Sequence, residues 1–172
     1  MSIVIGIVVG FAVLLAYVRT VQWMKEARRT RFSFENRPTY LFLKLDGPLG
    51  DGEATLVTMQ ALREALLLKV AGMNSGRALV HVSGLRVTNA RAFRFLMGGL
   101  GPLLLDESVN LAVVSARGSR AARGFKESGI LNCFPSEREA ERYLQSGEPR
   151  PRIPLDREYV NGLLASGRRK AA

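Results

Sequence analysis

The chain has 172 residues, a formal charge of +10, 47% hydrophobic residues, one cysteine and one histidine. That length allows one ordinary domain with appendages and enough chain for a hydrophobic core. Cys133 alone excludes an intrachain disulfide and fits a reducing compartment, and His81 has no set of Cys, His or carboxylate partners at metal-site or triad spacing.

The charge is uneven: +4 over residues 1–38, +3 over 39–147 and +3 over 148–172. Most of the excess flanks the central region, which fits anionic lipid headgroups better than a nucleic-acid footprint across a domain face. Met1–Val18 contains no charged residue and is apolar all round. As a helix it spans about 27 Å, close to a bilayer core of about 30 Å. Arg19 can snorkel, and Tyr17 and Trp23 stand where interfacial aromatics belong. A signal peptide would need a basic leader and a small-residue cleavage site, and a core helix would be apolar on one stripe only. Residues 1–24 are therefore expected to form a transmembrane anchor and 25–38 a basic juxtamembrane linker. Arg19, Lys25, Arg28, Arg29 and Arg31 follow the span, so the positive-inside rule puts everything after it on the cytoplasmic side of the plasma (inner) membrane. These five residues are the expected membrane-surface contacts.

Tyr40–Leu45 alternates like a strand, and Asp46–Gly52 is turn chemistry. Leu56, Met59, Leu62, Leu66 and Val70 predict an amphipathic helix over 54–71. A strand over Ala78–Val82 runs through a Ser83-Gly84 corner to a helix from Asn89, which Gly98-Gly99 and Gly101-Pro102 should end or kink. Leu111–Ala116 is a buried strand, Ser119 caps a basic helix ending at Gly129, and Ile130–Phe134 is the last strand. Ser136 and Glu139 form a capping box for a helix to about Gln145. Beyond Pro154, Tyr159, Leu163 and Leu164 can form one apolar face of a short helix leading to Arg168, Arg169 and Lys170, to be weighed against a frayed terminus. Strands and helices alternate in the manner of an α/β domain. Gly47–Gly52 lacks the Lys-Ser/Thr of a phosphate loop.

The stretch ALVHVSGLRVTNARAFRF (78–95), with GILNCF…SEREA (129–140), resembles the STAS family of anti-sigma-factor antagonists and transporter-associated domains. The resemblance covers about residues 39–146. It implies a STAS-like (SpoIIAA-like) α/β sheet of four to five strands with helices mainly on one face, here preceded by one transmembrane helix, with 39–147 as the domain and 148–172 as a basic tail. In that family an Asp-Ser-Ser-Gly quartet opens the helix, and its first serine is phosphorylated. Here the quartet falls on Asn89, Ala90, Arg91 and Ala92, so Ala90 offers nothing to phosphorylate. The resemblance further implies a non-catalytic module with no cofactor, metal or nucleic acid. It binds a protein partner (an anti-sigma kinase, a stressosome-like assembly or a transporter subunit) through Ser83, Thr88, Asn89, Ala90 and Arg91. Ser119 and Arg120 belong to the same face if the helix starts share one sheet edge. A homo-oligomer is compatible with this reading. The alternative is a sensor whose basic corner holds a nucleotide or an anionic lipid.

Overall fold

The computed structural model describes residues 29–73, 76–130, 132–147 and 156–165. The expected anchor, with Arg19, Lys25 and Arg28, lies outside these residues, and no described helix is long and apolar enough to cross a membrane. In chain order the elements are β1 (Arg31–Arg37), β2 (Tyr40–Leu49), α1 (Glu53–Ala71), β3 (Arg77–His81), β4 (Leu85–Val87), α2 (Ala90–Gly99), α3 (Gly101–Leu105), β5 (Asn110–Val114), α4 (Arg120–Glu127), β6 (Cys133–Phe134), α5 (Glu137–Ser146) and α6 (Arg157–Ala165).

Six strands form one mixed sheet in the order β1-β2-β3-β5-β6, with β4 also beside β2. Only β1–β2 is antiparallel. The sheet thus has more strands than expected, because β1 occupies residues assigned to the linker and β4 occupies residues assigned to the loop before α2. Residues 46–49 are not a turn either, since β2 continues through them. Gly47 permits this with φ 97°, and β4 supplies the pairing. The offset to β2 is 37 residues at Leu41–Ala78 and 38 at Gly47–Leu85, so β3 and β4 act as one strand interrupted by a one-residue bulge at Val82–Gly84.

Alternation on β2 separates two cores. Leu41, Leu43 and Leu45 face a large cluster with α1, α2, α3, α4 and α6, while Tyr40 and Phe42 face a smaller one closed by α5. Helices therefore lie mainly on one face, as expected. As expected, α2 ends at Gly99, and the short α3 resumes from Gly101. The missing side chains of Gly98 and Gly99 let neighbours approach, since a Cβ on Gly99 would lie 3.1 Å from Met59 Sδ and one on Gly98 2.7 Å from Leu164 Cγ. α6 belongs to this core through buried Val160, Leu163 and Leu164, while the aromatic Tyr159 is exposed. The short helix weighed against a frayed terminus is thus present, and its Leu163 and Leu164 pack into the domain.

On the other face, Arg37 bonds the Tyr40 hydroxyl, Glu137 and Glu141, and the Tyr40 hydroxyl donates to Glu141. The Arg37 guanidinium also lies 4.3 Å from the Phe42 ring centroid. This cluster pins the β1–β2 hairpin to α5. Burial, with the Glu141 hydrogen bond, pushes the Tyr40 phenol up to about 12.

Two measurements check this packing. Gly98→Ala should lose about 1–3 kcal/mol in denaturant unfolding by driving Leu164 out of place. Gly162→Ala, in open space on α6, should gain about 0.5–1 kcal/mol. Equal responses would mean that α6 is not docked on α2. For Tyr40, a raised folded value means that its contribution to stability is complete below pH 10 and lost as pH rises toward 12. A Tyr40→Phe chain should therefore lose less stability than wild type over that interval, read from unfolding midpoints against pH.

Candidate functional site

Four helices start at the carboxyl ends of parallel strands: α1 after β2, α2 after β4, α4 after β5 and α5 after β6. Their first turns collect unpaired N–H groups and partial positive charge on one sheet edge. Asn89 caps α2, its Oδ1 accepting from Ala92 N at 2.8 Å, and Ser119 caps α4, its Oγ accepting from Ala122 N at 3.1 Å. Both expected caps are present. Ser136 likewise caps α5, accepting from Glu139 N at 3.3 Å.

The two helix starts adjoin. Arg120 Nη1 donates to the Val87 carbonyl at 3.5 Å, bridging the end of β4 and the first residue of α4. Thr88 is anchored to β2, with its N–H and its Oγ1 both donating to Leu49 O, at 3.0 and 3.1 Å. Ala90, the first residue of α2, is exposed and presents a methyl group. Arg91 is half-buried, its guanidinium 5.6 Å from the Phe95 ring centroid. The structure thus brings Thr88–Arg91 together with Ser119 and Arg120. Ser83 is exposed on the bulge, with its Oγ at 3.1 and 3.2 Å from the His81 ring nitrogens, and no hydrogen bond joins it to residues 88–91. His81 is half-buried and tilts against Phe42 at 6.1 Å between centroids, as a packed sheet histidine does.

Arg86, Arg94, Arg117, Arg120 and Arg123 are exposed, and none of them, nor Arg91, makes an ion pair with a described carboxylate. Arg29 and Arg31 enter β1 at the same edge, where Arg31 lies opposite Asp46. The acidic residues here are fewer: Asp46, paired with Lys44 at 2.9 Å, and exposed Asp51, Glu53 and Glu139, the last bordering a cleft with Arg117. The edge is therefore predominantly cationic. The Arg120–Val87 bridge had no signal in the sequence, because it depends on β4, a three-residue strand shorter than any periodicity window.

Among the described residues no group of three or more His, Cys, Asp or Glu could hold a metal. Cys133 donates to Ile130 O at 3.4 Å, and burial pushes its thiol up to about 11, away from a reactive thiolate. Beside it, a cleft of about 420 Å³ is lined by Ser115, Arg117, Lys126 and Glu139, with neither a nucleophile–base pair nor a convergent donor set.

No protein-family model matches this chain, and no curated protein matches it. Among solved structures, an anti-sigma factor antagonist from Mycobacterium paratuberculosis is similar, with TM-score 0.52 and 15% identity over 69% of this chain and 96% of that one. The Bacillus cell fate determinant SpoIIAA in its phosphorylated form also matches, at TM-score 0.46 and 16% identity over 66% of this chain and 99% of that one. A protein with a SpoIIAA-like fold from Shewanella loihica matches at TM-score 0.42 and 18% identity over 67% and 94% of the two chains. The chain has the α/β fold of the mycobacterial antagonist, and at this identity the likeness is one of fold.

Proposed function

We propose that this chain is a membrane-tethered, non-catalytic interaction module that captures an acidic protein partner at the carboxyl edge of its sheet. The observation that carries the reading is the adjacency of Ala90–Arg91 to Ser119–Arg120. Two capped helix starts and several arginines without ion partners form one exposed cationic edge. Helix starts and guanidinium groups both favour carboxylates. The family resemblance supplies the class of partner, an anti-sigma kinase, a stressosome-like assembly or a transporter subunit. A methyl group at Ala90 favours a constitutive subunit over a phosphorylation-switched antagonist. The uncharged run Met1–Val18 and the basic residues after it support a single-pass anchor with the domain on the cytoplasmic side.

Two substitutions test the docking edge. Ala90→Asp places a carboxylate at the first position of α2, where the helix dipole accepts it, so the fold is retained while an acidic partner is repelled. Arg91→Glu reverses the adjacent charge and should weaken partner capture about tenfold. Affinity purification from detergent-solubilised membranes reads both, and an unchanged set of co-purifying proteins would refute docking at this edge.

The anchor has its own test. The full chain should stay with membranes through carbonate extraction, and protease added outside should spare everything after Arg19. Release by carbonate would remove the tether from the proposal without touching the docking edge.

A further inference from the structure

β1 lies at the edge of the sheet, and among the described residues only β2 pairs with it. Pro38-Thr39 is a two-residue turn, so Arg37 and Tyr40 close the hairpin as a hydrogen-bonded pair. Such pairs alternate along an antiparallel ladder. Arg31, Ser33, Glu35 and Arg37 therefore direct their N–H and C=O groups to β2, while Phe32, Phe34 and Asn36 turn theirs outward. The strand carries no proline, no lysine and no bulge, and its charged residues are of both signs, Arg31, Glu35 and Arg37.

The flank beside this edge is apolar. Phe32 and Phe34 meet edge-to-face at 5.7 Å and are only partly buried against the core. On α1, Val57 borders the cleft with Arg29 and Thr30, near where β1 begins, and Leu68 borders the one with Asn36 and Pro38, where it ends. Val57 is 56% and Leu68 79% exposed, and about three turns of helix separate them on one face. An unpaired strand edge and an overhanging apolar helix face thus run side by side.

We propose that β1 is the interface between two copies of this chain, joined into one continuous sheet by antiparallel β1–β1 pairing about a two-fold axis at Ser33. The outward groups of Phe32, Phe34 and Asn36 fit an axis on a residue, and charge selects which one. An axis at Phe34 sets Arg31 against Arg37 of the second copy, and one at Glu35 sets two glutamates face to face. An axis at Ser33 sets Arg31 against Glu35 and Phe32 against Phe34, each twice. Opposite charges and aromatic pairs across strands are both favourable. The axis is normal to the sheet, so both copies of α1 stay on one face, and Val57 of one copy approaches Leu68 of the other. This interface shares Arg31 with the carboxyl edge but uses none of Thr88–Arg91, Ser119 or Arg120, and does not depend on docking there.

The register gives a direct test on the full-length chain in detergent micelles. Ser33 faces its own copy in a non-hydrogen-bonded pair, with Cα atoms about 4.5 Å apart, inside the disulfide range. In a Cys133→Ala background, Ser33→Cys should give a covalent dimer as the main product of mild oxidation, whereas Gln145→Cys, exposed on α5, should not. Adding Arg31→Glu should reduce dimer yield about tenfold, and Arg31→Glu with Glu35→Arg should restore it. Circular dichroism confirms that each variant is folded. A monomer in sedimentation with no Ser33→Cys cross-link overturns the proposal. So does yield equal to that of Gln145→Cys, failure of the charge swap, or a dimer that cross-links through Phe34→Cys instead.

Discussion

The geometry of the candidate site depends on one close approach, that of Gly84 to the Asp46 carboxylate. A Cβ on residue 84 would fall on Asp46 Oδ1, so glycine lets the bulge pack against the carboxylate where it stands. Gly47 N–H donates to Gly84 O at 3.3 Å and Val82 N–H to Val114 O at 2.8 Å, so the bulge is held from both sides. The Lys44–Asp46 pair fixes the carboxylate on the other flank. The extra residue shifts β4 by one position along β2, which lets Leu85 and Val87 return to the core while Arg86 points to solvent. That register also sets the Val87 carbonyl where Arg120 donates to it.

Much of this was legible in the sequence, and the reasons are local. Asn89, Ser119 and Ser136 each announced a helix start because a short polar side chain ahead of a helical pattern has few other uses. Leu56, Met59, Leu62 and Leu66 spelled out α1 because a single buried face imposes its period on the residues. What stayed hidden depends on partners remote in sequence. β1 reads Arg-Phe-Ser-Phe-Glu, a fair alternation, yet it follows a basic cluster and precedes a proline, so only its pairing with β2 marks it as sheet. β4 exists because β2 runs past Asp46, and β2 runs past Asp46 because β4 is there; neither half signals alone. α6 looked like a tail because Leu163 and Leu164 make sense only against Gly98 of α2, and Val160 only against Gly101 of α3.

The arginines divide into two populations with different physics. Arg37 is surrounded by Tyr40, Glu137, Glu141 and two aromatic faces, and serves to tie a hairpin to a helix. Arg86, Arg91, Arg94, Arg117, Arg120 and Arg123 make no ion pair with a described carboxylate and sit where helix dipoles add to their field. A fold selected for stability alone gains nothing from clustering like charges there, whereas a surface that must attract an acidic partner does. The charge is also permanent, since guanidinium does not titrate in the physiological range.

Tether and two-fold axis together constrain how such a module sits on a bilayer. Two chains anchored in one membrane and related by a two-fold need that axis along the membrane normal. Because the axis of a β1–β1 junction is normal to the sheet, the joined sheet then lies parallel to the bilayer. In the proposed dimer the two copies of Arg29 would stand roughly 26 Å apart, eight strand residues across the axis. Antiparallel pairing turns the two cationic edges outward in opposite directions within the membrane plane. A dimer of this kind meets partners from its sides, one on each, and holds two neighbouring acidic surfaces at a spacing set by its own sheet. Each module then raises the local concentration of the other's partner, which is the advantage of a tethered pair over two free domains of the same affinity.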